Sequence, residues 1–482
     1  MWAGVRYNVP TKIEAKRTLR RTSTIIFRME SLASREKVFW TPLLFKHLHE
    51  RAHETTMHRR HTHTSTTVKW RTDLEKGAIS SNCDRRGWER VSSDNSDDWN
   101  FYWASVSTVK QIFNPENGYR LGDNQVISHF PNHYELTRKD MMVKNIKRFL
   151  KEQHKEGHTM DDYVPTTYLL PADYSLFVEE FRRNPHSMWI MKPTAKARGI
   201  GIFIVNKLAQ IKKWANNRMS TPTSHNNYVI SRYIDNPLLI GGKKFDLRIY
   251  ALVTSYRPLR VFIHEDGFAR FTNARYNNDV TDLDNMYVHL TNVAIQKNGE
   301  DYNEKHGNKW VLKNLRLYME ATVGYDKTTV LFQQIEDIII SSLRAVQHVI
   351  INDKHCFECY GYDVIIDDAL KPWLVEVNAS PSLGATTHND RIMKHGLIND
   401  TLCAVIPGPT VDLRARPHNA GHQGERVGGY YLAYDETLGD LNKHRNRKDG
   451  NGGGNGGNAS ETGSSGLGGS RSRFGSRNGK WR

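Results

Sequence analysis

The chain has 482 residues, 38% of them hydrophobic, and a formal net charge of +16. This length allows two or three domains with substantial cores, and no apolar run approaches the ~18 residues that predict a transmembrane helix, so membrane insertion is not expected. Residues 1–66 carry 13 basic and 5 acidic side chains and residues 411–482 carry 12 and 7, which leaves residues 67–410 close to neutral. A nucleic-acid-binding core is therefore not expected either.

Both ends of the chain are predicted to lie outside the folded domains. Residues 1–66 lack a sustained hydrophobic period and contain a run rich in His, Arg and Thr, so we predict a disordered basic extension. Residues 411–482 become rich in Gly, Asn and Ser, and we predict a flexible basic tail. The four cysteines do not have the spacing of a structural zinc site, so we expect reduced thiols in a cytosolic protein.

The segment between the two ends has the mixed helix and strand pattern of an α/β (α+β) protein. In chain order, the hydrophobic patterns predict helices at residues 141–151, 171–183 and 331–350, and strands at residues 189–193, 202–205, 228–234, 244–256, 259–271, 364–366 and 373–377. We divide this segment into an N-terminal α/β domain at residues 67–162 and two further domains at residues 163–235 and 236–410.

Cations lie on predicted strands of both later domains. Lys192 comes near the end of the strand at residues 189–193, and the loop that follows contains small residues and two glycines. Such a loop allows backbone N–H groups to approach phosphates, although glycines between two strands are also common in ordinary turns. Alternation along residues 244–256 places Lys244, Asp246 and Arg248 on one face, and burial of these charges requires an ionic partner.

The hairpin at residues 361–382 carries a candidate metal site. An Asp-Asp pair predicts the turn between its strands, and alternation places Glu376 and Asn378 on one side. Asp363 joins them if the hairpin folds back on itself. Two carboxylates and one amide oxygen suit Mg²⁺ better than Zn²⁺. Taken alone, the pattern also fits an edge hairpin with a polar face.

Together these features resemble the tubulin–tyrosine ligase-like family of the ATP-grasp superfamily. The matching motifs are Met191-Lys192-Pro193, Lys244-Phe245-Asp246-Leu247-Arg248, His289-Leu290-Thr291-Asn292 and, at residues 373–382, WLVEVNASPS. The resemblance covers residues 69–405 and is closest to the compact tubulin polyglutamylase branch at residues 130–148 and 353–382. It implies an ATP-grasp fold in which the domains at residues 163–235 and 236–410 hold ATP between them.

The resemblance also implies roles for the matching residues. Members of the family use ATP to convert a carboxylate to an acyl phosphate, which the amine of an amino acid then attacks. The implied nucleotide-binding residues are Lys139, Lys192, Arg198, Gly199, Ser231, Arg232, Tyr233, Ile234, Lys244, Phe245, Asp246, Thr291 and Asn292. Asp363, Glu376 and Asn378 would hold Mg²⁺, and Arg270 and Lys394 would hold the incoming glutamate. Lys192, Arg248 and Glu376 would act in catalysis, with Arg248 binding the acceptor carboxylate or the phosphoryl group in transit.

The function implied by the resemblance is that of an ATP- and Mg²⁺-dependent tubulin polyglutamylase. Its partners would be free glutamate and the acidic tails of tubulin in microtubules, and the need for accessory polyglutamylase subunits stays open. We expect a cytoplasmic protein of the cytoskeleton, located at the ciliary or flagellar axoneme or the basal body. The alternatives are a tubulin glycylase or tyrosine ligase, and a non-catalytic scaffold that binds microtubules or a partner subunit. The complete set of candidate metal ligands favours an enzyme.

Overall fold

Three β-sheets and eleven α-helices make up the part of the chain that the computed structural model describes. The described residues are 67–91, 97–158, 161–194, 196, 199–219, 227–277, 279, 282–299, 301–303, 307–408 and 425–438. The predictions for residues 1–66 and for Arg198 fall outside them. All described residues belong to one compact unit that begins at Thr66. None of the described helices has the length and apolar character needed to cross a bilayer.

The first sheet has four parallel strands in the order β2-β1-β3-β4. The strands are β1 (Lys69–Thr72), β2 (Glu89–Arg90), β3 (Phe101–Trp103) and β4 (Val126–Ile127), and the helices of this region are α1 (Gly77–Arg85), α2 (Val106–Ile112), α3 (Tyr134–Thr137) and α4 (Lys139–Lys155). Helix α4 buries Met142, Ile146 and Leu150, which recur at helical spacing on one face. It begins two residues before the predicted start, so Lys139 lies in its first turn.

The middle sheet has four antiparallel strands in the order β5-β8-β6-β7. Its elements are β5 (Thr167–Leu170), α5 (Tyr174–Arg183), β6 (Trp189–Pro193), β7 (Phe203–Val205), α6 (Leu208–Met219) and β8 (Tyr228–Arg232). The predicted strands at residues 189–193, 202–205 and 228–234 are confirmed to within two residues. Phe177 of α5 packs edge-on against Trp189 of β6, with ring centroids 5.1 Å apart. This contact holds the helix against one face of the sheet.

The largest sheet has nine strands and is built around β10 (Lys243–Tyr256). The other strands are β9 (Leu239–Ile240), β11 (Leu259–His264), β12 (Phe268–Phe271), β13 (Lys309–Val311), β14 (Glu358–Ile366), β15 (Pro372–Asn378), β16 (Arg426–Val427) and β17 (Tyr430–Asp435). Strands β11 and β12 pair with successive parts of β10, and β14 pairs with it as well. The 14 residues of β10 therefore connect most of the sheet.

The two faces of β10 have different environments. Phe245, Leu247 and Ile249 belong to the core that also contains buried residues of α4 and α10, whereas Tyr250 and Leu252 belong to a second core with α11. Alternation along a strand explains this division. The face of Tyr250 and Leu252 continues toward the start of β10 as the predicted charged face.

Helices cover both faces of the large sheet. In chain order, the remaining helices are α7 (Met286–His289), α8 (Val293–Gln296), α9 (Leu312–Thr322), α10 (Tyr325–Gln347) and α11 (His388–Val405). Of these, α9 and α10 pack in the core on one face of the large sheet and α11 packs on the other. Helix α10 was predicted at residues 331–350, but it begins earlier, directly after Gly324 at φ 100°. Its first turns are polar, so the apolar period does not reveal them.

The single strand predicted at residues 259–271 is wrong in one respect, because the structure has two strands, β11 and β12, with an irregular segment between them. A Cβ atom added at Gly267 in this segment would lie 2.4 Å from the backbone oxygen of Arg248. The chain can therefore pass β10 at this point only without a side chain.

The prediction of a flexible tail from residue 411 is also wrong for residues 425–438. Strand β17 pairs with β11, and Tyr430 is 0% exposed. Without β17, β11 would be an edge strand with unpaired backbone N–H and C=O groups. The remaining residues of the predicted tail lie outside the described part of the chain.

Candidate active site

The hairpin of β14 and β15 has the arrangement that the sequence predicts. Asp363 is paired with Glu376, and Gly361 is paired with Asn378. Asp363 and Glu376 both line a cavity between the middle sheet and the large sheet. Side chains of directly paired residues in antiparallel strands lie on one face of the sheet, which accounts for this proximity.

Cationic side chains enter the cavity from three elements. Lys192 comes from β6, Lys244 from β10 and Lys139 from the start of α4. The Lys139 ammonium lies 2.9 Å from Oε2 of Glu376. Among the described residues, no carboxylate lies within ion-pair distance of the Lys192 or Lys244 ammonium. Two ammonium groups without a paired carboxylate favour an anionic ligand.

Burial changes the protonation of these two lysines. It lowers the pKa of Lys192 to about 8, because burial disfavours the ammonium more than nearby Glu376 stabilises it. It lowers the pKa of Lys244 to about 7, and the charge of Lys192 adds to this effect. The Lys244 ammonium donates to the Tyr233 hydroxyl at 2.8 Å and lies 4.2 Å from the centroid of that ring. An anion in the cavity would favour the charged form of both side chains.

Four charged residues form an ion-pair network on the large sheet. Arg248 pairs with Asp363 through Nε–Oδ1 at 2.5 Å and Nη2–Oδ2 at 3.0 Å. Arg270 pairs with Asp246 through Nε–Oδ1 at 2.9 Å and with Asp363 through Nη2–Oδ2 at 2.8 Å. The strand register places Asp246 beside Arg270 and Arg248 beside Asp363. These ion pairs supply the ionic partners that burial of the charged face of β10 requires.

The network affects its two carboxylates differently. Burial would raise the pKa of Asp363, but Arg248 and Arg270 outweigh burial and hold the pKa of this carboxyl well below its usual value. Burial raises the pKa of Asp246, and Arg270 does not fully offset the effect. Asp363 is therefore the more firmly ionised of the two carboxylates.

The three predicted metal ligands supply the oxygen donors that a hard cation requires. Asp363 and Glu376 contribute carboxylates facing the cavity. The side-chain amide of Asn378 donates from Nδ2 to the Gly361 carbonyl at 3.1 Å, which leaves its Oδ1 as an acceptor. The donor set fits Mg²⁺. Asp363 can contribute to a metal site only if Arg248 or Arg270 gives up part of its contact.

Most of the predicted nucleotide-binding residues converge on the cavity. Those that line it are Lys139, Lys192, Gly199, Ser231, Arg232, Tyr233, Ile234, Lys244, Asp246, Thr291 and Asn292, and predicted Arg270, Asp363 and Glu376 line it as well. The structure corrects the assignment of Phe245 to the nucleotide site. The side chain of Phe245 is 1% exposed and packs against Phe271, with ring centroids 5.3 Å apart. Because it alternates with Lys244 and Asp246, it faces the core and not the cavity.

Lys394 lies apart from this cavity. Its ammonium is 3.0 Å from Oδ1 of Asp390, and it lines a separate cavity with Arg391 and residues of α1. Lys309 also pairs with Asp390, at 3.0 Å. The predicted pair of glutamate-binding cations is therefore not brought together in one cavity.

The sequence did not single out the residues that surround Tyr233. The Tyr233 hydroxyl bonds with Nδ1 of His289 at 2.9 Å, and Nε2 of His289 lies 3.0 Å from the Asp282 carbonyl. Apolar side chains, including Ile190 and Leu374, line the same cavity. The sequence signal that could have identified His289 was the His-Leu-Thr-Asn motif, because its last two residues, Thr291 and Asn292, were predicted to bind the nucleotide.

A model of the tubulin-tyrosine ligase family matches residues 117–413. The chain belongs to the tubulin-tyrosine ligase family. The predicted ATP-grasp fold is confirmed by this membership, and use of ATP is a property of the family. The matched residues include the whole candidate site from Lys139 to Lys394, whereas β16 and β17 lie beyond them.

Individual relatives support the same family membership. The chain is 50% identical over 385 residues to "Probable alpha-tubulin polyglutamylase Ttll1" of Tetrahymena thermophila, covering 77% of this chain and 93% of the relative. It is 45% identical over 386 residues to "Probable tubulin polyglutamylase TTLL9" of Bos taurus, covering 73% and 80%. It is 37% identical over 325 residues to "Tubulin polyglutamylase TTLL5" of Homo sapiens, covering 64% of this chain and 24% of that longer protein.

Proposed function

We propose that the protein is an ATP-dependent tubulin polyglutamylase. The reaction would activate a glutamate side chain in a tubulin tail as an acyl phosphate, and the amine of free glutamate would then form the amide. The observation that carries this proposal is a pair of lysines that face the cavity, partly buried Lys192 and buried Lys244, with no paired carboxylate among the described residues. A polyphosphate would supply the missing negative charge. Membership of an ATP-using family whose relatives are named polyglutamylases supports this nucleotide and this substrate.

The residues around the cavity suit phosphoryl transfer, which depends mainly on positioning and charge neutralisation. Lys139 and Lys192 would bind the phosphates, and Lys244 would bind the nucleotide near Tyr233. Gly199, at φ 78°, lies in the loop over the cavity, and an added Cβ there would lie 2.5 Å from the Ile295 side chain. This loop would approach the nucleotide through its backbone.

Asp363, Glu376 and Asn378 would hold Mg²⁺. When bound, the ion would neutralise part of the phosphate charge that repels the attacking carboxylate. Arg248 lies beside these ligands and would bind the acceptor carboxylate or the transferred phosphoryl group. Its contact with Asp363 fixes the guanidinium before substrate arrives, which lowers the cost of ordering it later.

Arg270 remains the better candidate for binding the incoming glutamate. Among the described contacts, its Nε and Nη2 atoms bind Asp246 and Asp363, whereas Nη1 takes part in none. A carboxylate of the substrate could bind at Nη1. Lys394 is already bound to Asp390, so we propose that it orders the loop before α11 and contributes to substrate binding only through that loop.

The substrate and location proposed here follow from the names of the relatives. Tubulin tails are acidic, and free glutamate would be the second substrate. Association with the cytoskeleton fits a tubulin-modifying enzyme, and we propose the cilium or basal body as the site of action.

An amino-acid incorporation assay tests the proposal. Purified protein would be incubated with microtubules, ATP and [³H]glutamate, and parallel reactions would contain [³H]glycine or [³H]tyrosine. We expect ATP-dependent incorporation of glutamate alone. Preferential incorporation of glycine or tyrosine would replace the proposed activity with that of a glycylase or tyrosine ligase. Microtubule binding without incorporation of any amino acid would support the scaffold alternative.

A further inference from the structure

A buried histidine–carboxylate pair lies outside the ATP cavity. Nδ1 of His129 is 2.6 Å from Oε1 of Glu358, and the other carboxylate oxygen accepts the backbone N–H of Phe130 at 3.1 Å. His129 is 2% exposed and Glu358 is 0% exposed. Because a carboxylate accepts hydrogen bonds, this contact places the ring proton on Nδ1 and leaves Nε2 with a free lone pair.

The free nitrogen of His129 is directed at a hydroxyl. Oγ of Ser380 lies 3.1 Å from Nε2 of His129, so the hydroxyl can donate to the ring. Ser380 is solvent-exposed and follows β15, two residues after Asn378. Hydrogen bonds therefore connect an exposed hydroxyl to a buried imidazole, and that imidazole to a buried carboxylate.

This relay of Ser380, His129 and Glu358 lies close to the charged network. A Cβ atom added at Gly361 would be 3.0 Å from Cβ of Pro381 and 3.2 Å from Cδ of Arg248. Pro381 and Arg248 thus pack over the same glycine. Ser380 is the residue before Pro381, which packs over the same glycine as the arginine that holds Asp363.

We propose that the relay removes a proton from the amino group that forms the new amide bond. This inference rests on the proposed ligase function. An incoming ammonium group would pass one proton to Ser380 Oγ while the Ser380 hydroxyl proton moves to Nε2 of His129. The nitrogen lone pair then attacks the acyl carbon, the bond from carbon to the phosphate oxygen breaks, and the phosphate leaves with the bonding electrons. The second nitrogen proton goes to the departing phosphate, and Glu358 stabilises the imidazolium.

The same three residues do not form a covalent catalytic site. A serine nucleophile needs donors for an oxyanion, and the next residue, Pro381, has no backbone N–H. A transition metal at His129, His133 and Glu358 is also disfavoured, although their ligand atoms lie within 4.8 Å of one another. Nδ1 of His133 bonds to the Phe130 carbonyl at 3.0 Å, and both Glu358 oxygens already accept hydrogen bonds. These internal contacts satisfy the cluster.

Three polar groups face the His129 ring. They are Glu358, the Ser380 hydroxyl and the ring of His133, whose centroid is 5.0 Å from that of His129. A proton acceptor in this position serves the attack of the amine on the acyl phosphate. Ligation should therefore depend on His129, whereas acyl phosphate formation should not.

The test separates the two halves of the reaction. Acyl phosphate is trapped with hydroxylamine, which is largely unprotonated at neutral pH and needs no proton acceptor, and the acceptor hydroxamate is compared with glutamate ligation. Ser380→Ala should form hydroxamate at the wild-type rate but lower kcat for glutamate ligation by about 10²-fold or more. Ser380→Thr, which keeps the hydroxyl, should restore ligation. Ser382→Ala, an exposed serine on the same segment, is the matched control and should behave as wild type.

Each outcome decides between explanations. An equal loss of hydroxamate and ligation in Ser380→Ala would assign the serine a structural role and overturn the relay, as would unchanged ligation. Because Glu358→Gln can impair folding, its ligation rate is interpreted against its own hydroxamate rate, and a loss of ligation with hydroxamate formation retained supports the relay. A wild-type enzyme that makes neither product would overturn the proposed function and the relay with it.

Discussion

The hairpin of β16 and β17 provides a direct test of how the large sheet is completed. Two truncated chains are compared, one ending at residue 424 and one ending at residue 438. The shorter chain loses both strands, whereas the longer chain keeps every described residue. The difference between them therefore reports the hairpin itself and not the residues that follow it.

The expected loss can be worked from the buried side chains. Tyr430 and Leu432 of β17 are 0% and 7% exposed, and Phe262 of β11, which is paired with Leu432 and belongs to the same core, is 2% exposed. Removing two such buried side chains costs about 3–6 kcal/mol, before any cost of exposing β11. Typical domains have a free energy of unfolding of only about 5–15 kcal/mol. We expect the chain ending at residue 424 to be poorly soluble or to unfold at a clearly lower denaturant concentration.

Point variants at Tyr430 refine the measurement. Tyr430→Ala should lower the free energy of unfolding by about 3–5 kcal/mol. Tyr430→Phe should cost only about 1 kcal/mol. It removes the contacts of the hydroxyl with Thr401 and with the sulfur of Cys359, while Thr401 still donates to the Leu397 carbonyl at 2.8 Å. Denaturant unfolding followed by circular dichroism measures all four proteins. Equal midpoints for the two truncated chains would refute the assignment of β17 to the sheet.

Three further predictions concern the candidate site. Because the pKa is about 8 for Lys192 and about 7 for Lys244, ATP binding at pH 8 should take up protons, and the affinity should weaken as the pH rises further. Titration calorimetry in buffers of different ionisation enthalpy measures this proton uptake. The uptake should vanish near pH ~6, where both lysines are already charged. Glu376→Gln should leave the fold intact and lower ligation by about 10²-fold or more, and near-normal turnover would contradict the metal assignment. Lys394→Ala should lower the melting temperature with little change in the KM for glutamate, whereas Arg270→Lys should raise that KM, and the reverse pattern would exchange their roles.

The sequence predicts elements well where local pattern decides the structure. Strand β6 has the predicted bounds because a short apolar run ends at Pro193, and the hairpin of β14 and β15 follows from apolar strands around an Asp-Asp turn. The tail hairpin was missed although two glycines precede a Tyr-Tyr-Leu-Ala-Tyr run. Gly and Asn farther along the chain dominated the composition and hid that signal.

The site required information that local pattern does not contain. The alternation of Lys244, Asp246 and Arg248 predicts buried charges, but only the strand register shows that Arg270 and Asp363 are their partners. Phe245 was assigned to the nucleotide site because a motif was carried over as a block, although alternation assigns it to the opposite face. The contact of His129 with Glu358 joins residues more than 200 positions apart, and nothing near either residue predicts it.

The connections among the three sheets indicate which part of the molecule moves when the cavity opens. The first sheet is tied to the large one by the bridge between Ile127 and Cys356 and by the bond from Asn82 to the His395 carbonyl at 3.0 Å. Within the described residues, by contrast, no β-bridge joins a strand of the middle sheet to either of the other sheets. We therefore expect the middle sheet to act as a hinged cover over a rigid base. Slower hydrogen exchange on nucleotide binding should be concentrated in residues 167–232, and uniform protection across all three sheets would argue against a hinge.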